Sequence, residues 1–227
     1  RFQCLLADFP AGQLTETIPN FHNTPVRFVA FTEAVKKDVA HRACQVQKEI
    51  QFIREREQEM GLAYSLQREG RLPLRVSHND TKLNNIMIDD ATGQALCIID
   101  LDTIMPGFSI FDYGDSIRFG ANTAQEDEQD LSKVSLSLPL FEVYTKGFLE
   151  GSAGRLTETE ISMLPYGAKM MTLECGMRFL TDYLQGDTYF HISREGHNLD
   201  RCRTQLALVA DMEKKWADME AIVEKYR

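Results

Sequence analysis

The sequence predicts an α+β domain that is mostly helical and carries one small β-hairpin at its functional centre. Two observations point there. Residues 74–102 hold three short apolar runs, at 74–76, 85–88 and 95–99, parted by polar clusters and by the turn formers Asp89-Asp90-Ala91-Thr92-Gly93, which is the pattern of brief strands with tight connections. Before and after this stretch, apolar residues stand among many charges at the spacing of amphipathic helices. With 227 residues the chain can bury one good core, so residues 1–227 are expected to form a single domain.

In chain order, residues 1–8 lack an initiator Met and look like the tail of a helix, so the chain is expected to start inside something longer. Residues 15–27 are a loop rich in turn formers, closed by Thr24 as N-cap with Pro25 at the first helical position. His22 in that loop is either a substrate contact or a surface or capping residue. From Pro25 to Glu69 the pattern gives helices with one or two breaks, and the charge run Arg54-Glu55-Arg56-Glu57 reads as a solvated helix face. The run at 74–76 is a strand that delivers His78, Asn79 and Asp80 into a tight loop. The runs at 85–88 and 95–99 pair as a hairpin, which brings Asn85 and Asp100 to the end that also carries Asp80.

Beyond the hairpin, Pro106-Gly107 marks a turn and residues 111–119 a short helix, on which Asp115 and Arg118 are spaced to pair. The acidic stretch 125–130 has no ordered spacing and reads as a solvated loop. Residues 138–150 are helical until Gly151-Ser152-Ala153-Gly154 breaks them. Thr157-Glu158-Thr159-Glu160 has capping-box spacing and opens a long helix running to Leu184, whose Met163, Met170, Met171 and Met177 read as core. Residues 178–190 gather an Arg, Asp and Tyr residues near a helix end, the donors, acceptors and ring faces a sugar needs. A last amphipathic helix covers 198–226, with Trp216 packing it onto the rest.

Composition narrows the function. The formal charge of −9 disfavours a phosphate-backbone or anionic-lipid surface, so no nucleic acid and no membrane partner is expected. No stretch of about 18 apolar residues occurs. The five cysteines are scattered and never form Cys-x-x-Cys, which suits reduced thiols in a cytoplasmic protein. A monomer is expected.

The chemistry that residues 78–102 offer is phosphoryl transfer. Protein kinases write their catalytic loop H-R-D-L-x-x-x-N and follow it with a metal-holding Asp. His78, Asp80 and Asn85 keep that spacing and Asp100 follows at the hairpin's end. At roughly one in twenty per residue type, about three chains in a hundred of this length would match the triplet by accident. The weight therefore falls on the conjunction of preceding strand, following hairpin and terminal Asp. Asp80 is an acceptor-only carboxylate able to orient a substrate hydroxyl. Asn85 and Asp100 supply the hard oxygens that Mg²⁺ prefers, and Lys82 can offset charge on the transferred phosphate.

The stretch His78 to Asn85, followed by Ile98-Ile99-Asp100-Leu101-Asp102, resembles the aminoglycoside phosphotransferase and choline kinase superfamily. The longer run 99–122, with Asp-Leu-Asp-Thr-Ile-Met-Pro-Gly and Phe-Asp-Tyr-Gly-Asp-Ser-Ile-Arg-Phe-Gly-Ala-Asn, is more narrowly similar to the N-acetylhexosamine 1-kinases. The resemblance implies the C-terminal lobe of a protein-kinase-like fold, with ATP as co-substrate, Mg²⁺ as cofactor and a small molecule, a sugar, as acceptor. It implies a bracing role for Asp112, supporting places for His78 and Asp102, and a sugar-facing role for Arg178 and Tyr189. No G-x-G-x-x-G, Walker loop or Val-Ala-Ile-Lys-like strand is found, so the nucleotide-gripping N-terminal lobe is expected to be absent from these residues. Other acceptors (an amino-alcohol, an aminoglycoside, another sugar) stay open, as does a non-catalytic binding module, against which the joint presence of Asp80, Asn85 and Asp100 argues.

Overall fold

Residues 2–227 are described by the computed structural model, in which two short antiparallel ribbons are set into a body of helices. Helices α1 (Phe2–Leu5), α2 (Thr24–Lys37), α3 (Gln47–Arg54), α4 (Glu57–Met60) and α5 (Leu62–Arg68) lead into strand β1 (Arg75–Ser77). Strands β2 (Ile86–Ile88) and β3 (Ala95–Ile98) pair as the expected hairpin, and β4 (Met105–Gly107) returns to pair with β1. Helices α6 (Ser109–Gly120), α7 (Leu138–Ser152), α8 (Glu158–Ser162), α9 (Leu164–Leu184), α10 (His197–Lys214) and α11 (Trp216–Lys225) complete the chain.

Helix α9 is the axis of the body. It is buried around nearly its whole circumference, from Leu164 through Met170, Leu173 and Met177 to Leu184, as expected of a helix that is apolar on most sides. It packs chiefly against α6 and α10. The crossing with α6 is a backbone-to-backbone approach: a Cβ on Gly167 would strike the Ile110 carbonyl, and one on Gly114 would strike the Gly167 carbonyl. This contact fixes Asp112 and Asp115 of α6 against α9, because neither helix can shift without opening a gap. Three of the few charged residues of α9 have partners. Lys169 meets Glu59 and Glu213, Glu174 meets His22 and Thr24, and Asp182 ties down the segment that follows the helix.

Several expectations are corrected. The α2 cap is Asn23, whose side chain accepts the Val26 N–H at 3.3 Å; the Thr24 hydroxyl turns inward to Glu174 instead. Pro106-Gly107 is part of strand β4, opposite Val76 and Arg75, rather than a turn. Proline is tolerated there because a two-stranded ribbon has only edge strands. Gly107 is required because a Cβ would lie 2.7 Å from Asn79 Oδ1 and 2.8 Å from Ser77 Cβ, so the loop that follows β1 passes directly over it.

The long helix after the capping box is broken at Met163, since Pro165 in the first turn of α9 has no N–H to bond the Ile161 carbonyl and its ring crowds that carbonyl. The final helix is broken at Lys215, whose ammonium reaches back to Ser135, Leu136 and Asp211. Arg56, read as solvated, forks onto Glu213 at 2.9 and 2.7 Å and lies over the Phe52 ring. The 125–130 loop is likewise not merely solvated, since Glu126 pairs with Arg118, and Asp127 with Arg194 and His197. Trp216 packs against the core, with Lys169 over its ring. Among the described residues, no helix is long and apolar enough to cross a membrane.

Candidate active site

Strand β1 ends in a loop whose backbone is held from several sides. Asp112, in the first turn of α6, accepts the N–H of His78 at 3.0 Å and of Asn79 at 2.8 Å, and its side chain also takes the Gln3 amide at 2.7 Å. All three partners are donors, which suits a carboxylate, while complete burial pushes its pKa upward despite them. The Thr81 hydroxyl donates to the Asp112 carbonyl and the Ser116 hydroxyl to that of Thr81. Asn79 has φ of 66°, the left-handed region that asparagine tolerates better than most residues, and its amide donates to the carbonyls of Ser77 and Thr103. His78 bridges loop and hairpin. Its Nε2 faces the Ile99 carbonyl at 3.1 Å, so that nitrogen carries the proton, and Nδ1 accepts the Asp80 N–H at 3.3 Å.

Asp80 is partly exposed at the lip of this loop. Its Oδ2 accepts from Lys82 Nζ and from Asn85 Nδ2, each at 2.8 Å, and Asn85 Nδ2 also donates to the Asp80 carbonyl. Among the described residues no donor reaches Asp80 Oδ1, which leaves one carboxylate oxygen for an incoming hydroxyl. Lys82 therefore rests on Asp80, rather than standing free to meet a phosphate. Burial would lower the pKa of Lys82, but the Asp80 hydrogen bond and charge outweigh it and raise the pKa, so the ammonium stays charged.

Because the amide nitrogen of Asn85 is turned to Asp80, its Oδ1 is the atom left for a cation. The Ile99 N–H donates to the Asn85 carbonyl at 2.9 Å, which sets Asp100 beside Asn85 at the hairpin's end. Asp100 opens a turn with φ of 63° and is exposed. Among the described residues no group of three His, Cys, Asp or Glu side chains is gathered for a metal. An ion here would rest on Asn85, Asp100 and the phosphates of a nucleotide, as suits Mg²⁺. Asp102 lies in the same exposed turn, where its backbone carbonyl accepts the Thr17 hydroxyl.

A cavity of about 450 Å³ opens beside Asp80 and Lys82, with Arg178 and Tyr189 on its far wall. The Arg178 guanidinium sits among three rings, 5.4 Å from the centre of Phe21, 6.0 Å from Tyr189 and 5.6 Å from Phe190. Asp182 builds this wall by accepting the N–H groups of Thr188, Tyr189 and Phe190 at 2.8, 2.8 and 3.0 Å.

Four further titratable residues that line this cavity form two pairs, and of them the sequence singled out only His22 as a possible substrate contact. Asp115 and Arg118, spaced to pair, are buried there with Arg118 Nη2 2.8 Å from Asp115 Oδ1. Burial would raise the Asp115 carboxyl, but Arg118 outweighs it and holds the pKa below the usual carboxylate range. His22 and Glu174 form the other pair. The i, i+3 spacing of Asp115 and Arg118 was a signal; nothing local marks the pairing of His22 with Glu174, which are 152 residues apart.

The loop, the hairpin, Asp100 and Asp112 all fall within residues 3–138, which match the model of the Phosphotransferase enzyme family, while Arg178 and Tyr189 lie beyond the matched stretch. That match spans more than half of the chain and contains the residues whose geometry suits phosphoryl transfer, and the chain belongs to the phosphotransferase enzyme family.

Proposed function

We propose that this chain supplies the acceptor-binding and catalytic part of a cytoplasmic, monomeric small-molecule kinase. Such a kinase moves the γ-phosphate of ATP, with Mg²⁺, to a hydroxyl of a small polar acceptor, best matched by the anomeric hydroxyl of an N-acetylhexosamine. The observation that carries the reading is that Asp80, with one carboxylate oxygen free, shares a cavity with an arginine set among aromatic rings. A pyranose offers hydroxyls to Asp80 and Arg178 and an apolar face to the rings. A cationic acceptor such as an aminoglycoside or amino-alcohol fits less well. Arg118 and Arg201 on the same wall have Glu126 as partner, whereas Arg178 is in no ion pair among the described residues and would repel a cation.

In this reading Asp80 Oδ1 accepts the acceptor's hydroxyl proton and aims the oxygen at the phosphorus, while Lys82 moves from Asp80 toward the phosphoryl oxygens as charge builds there. Asn85 and Asp100 would hold Mg²⁺. When bound, the ion supplies charge neutralisation between the nucleotide phosphates. The base of ATP and a nucleotide-gripping lobe outside residues 1–227 would cover the apolar side chains exposed around the hairpin, among them Met87, Leu96, Ile98 and Leu101.

The test is a panel of free sugars, amino-alcohols and aminoglycosides assayed for ATP-dependent phosphorylation by the full-length protein. N-acetylhexosamines are expected to be turned over fastest; faster turnover of a cationic acceptor would redirect the reading of the cavity. Arg178→Ala should raise KM for the preferred sugar about tenfold or more, since a hydrogen bond from a charged group is worth about 1.5 to 3 kcal/mol. KM for ATP should stay nearly constant, and a parallel rise in both would place Arg178 outside the acceptor site.

A further inference from the structure

The peptide unit that joins Asn79 to Asp80 is held at both ends by imidazoles. Its N–H, belonging to Asp80, donates to His78 Nδ1 at 3.3 Å, and its carbonyl, belonging to Asn79, accepts from His22 Nε2 at 2.7 Å. His78 comes from the loop itself. His22 arrives from the 15–23 loop, and its own position is fixed in turn: its Nδ1 lies 2.8 Å from Glu174 Oε1, and its carbonyl accepts the Tyr64 hydroxyl at 3.0 Å. The second Glu174 oxygen accepts the Thr24 hydroxyl at 2.6 Å. Glu174 stands one turn before Arg178 on α9, and both His22 and Glu174 are on the wall of the acceptor cavity.

We infer that His22, oriented by Glu174, is a positioning residue that fixes the Asn79–Asp80 peptide plane and so aims the Asp80 carboxylate. The inference rests on the phosphotransfer reading above and names a residue outside the loop motif. A carbonyl can be an acceptor only, so His22 Nε2 must carry a proton, and the carboxylate at Nδ1 calls for a proton there as well. Burial would lower the pKa of His22, but Glu174 outweighs it and raises the pKa. Burial would likewise raise that of Glu174, but His22 lowers it. The pair is therefore an imidazolium and a carboxylate that are nearly shut off from water. Rotation of the Asn79–Asp80 plane would swing Asp80, and His22 Nε2 is the donor that holds the carbonyl of that plane, beyond the Asn79 φ of 66°.

The experiment compares full-length wild type with His22→Phe, which keeps a ring but no N–H, and with His22→Gln, which keeps an N–H able to reach the Asn79 carbonyl. His22→Phe should lower kcat about 10²-fold, the scale of a misplacement near 1 Å, with KM for ATP and acceptor changed by less than about threefold. His22→Gln should recover at least about tenfold of that loss. Amide hydrogen exchange, read without turnover, should be faster across residues 78–85 in His22→Phe than in wild type, and be restored towards it in His22→Gln. Equal kcat per folded molecule, or equal exchange in wild type and His22→Phe, overturns the positioning role. The exchange result decides the clamp even if no acceptor is turned over, whereas Asp80→Asn kinetics decides the phosphotransfer reading, so the two failures are separable.

Discussion

Asp80→Asn in the full-length protein is expected to lower kcat at least about 10²-fold while leaving the affinity for nucleotide nearly unchanged. The substitution keeps the shape of the side chain and changes what it can do. In the wild type, Oδ2 is engaged by the Lys82 ammonium and the Asn85 amide, both of them donors, and Oδ1 is open. An amide at this position must present its oxygen to those two donors, which turns its NH₂ group toward the acceptor hydroxyl. It then donates where the carboxylate accepted, and the hydroxyl proton has nowhere to go. Nucleotide affinity should persist because Asn85 and Asp100, which would hold the metal, are untouched. Steady-state kinetics against ATP and acceptor separately provides the check. Near-normal kcat would take the proton-accepting role away from Asp80, and a large rise in KM for ATP would move Asp80 to the nucleotide instead.

The loop and hairpin were legible in the sequence because their signals are local. Residues 78–85 keep the spacing of a catalytic loop and Asp89 to Gly93 is a turn formed by neighbouring residues, whereas the bracing role of Asp112 came only from the resemblance. The second ribbon was not legible. Pro106-Gly107 carries the local signature of a turn, and only the distant strand β1 makes it β structure. The same limit hid Arg56 with Glu213, and His22 with Glu174, which meet across 157 and 152 residues. In each case the local pattern was a charge run or a lone histidine, whose ordinary fate is solvent, and a tertiary partner overrode it. The helix breaks at Met163 and Lys215 were passed over for another reason: periodicity carried the pattern through both points, although Pro165 interrupts it at the first and the chain leaves helical geometry at Lys215, with ψ of 14°, at the second.

Removal of Glu160 is expected to destabilise the fold by about 3–5 kcal/mol, the range for breaking a buried ion pair by deleting one partner. Glu160 is fully buried and joins three elements. Its carboxylate takes the Arg75 guanidinium in a fork at 2.5 and 2.7 Å, the Ser109 hydroxyl at 2.7 Å and the Thr157 N–H at 2.7 Å, the last closing the capping box of α8. In Glu160→Ala the Arg75 charge and the buried Ser109 hydroxyl lose their acceptor, at the residue that opens the strand leading into the loop that carries Asp80. The loss should depend on pH. Burial alone would raise the Glu160 carboxyl, but Arg75, Ser109 and Thr157 outweigh it and hold the pKa below the usual carboxylate range. The folded state then binds this proton less readily than the unfolded chain, in which a glutamate titrates near about 4.3. The stabilisation is fully present above that value and is lost as pH falls through the lower, folded value. Urea unfolding of wild type and Glu160→Gln should therefore show a clear stability gap at neutral pH that narrows below about pH 4. A gap of the same size in acid would assign the stabilisation to the shape of the side chain and not to its charge.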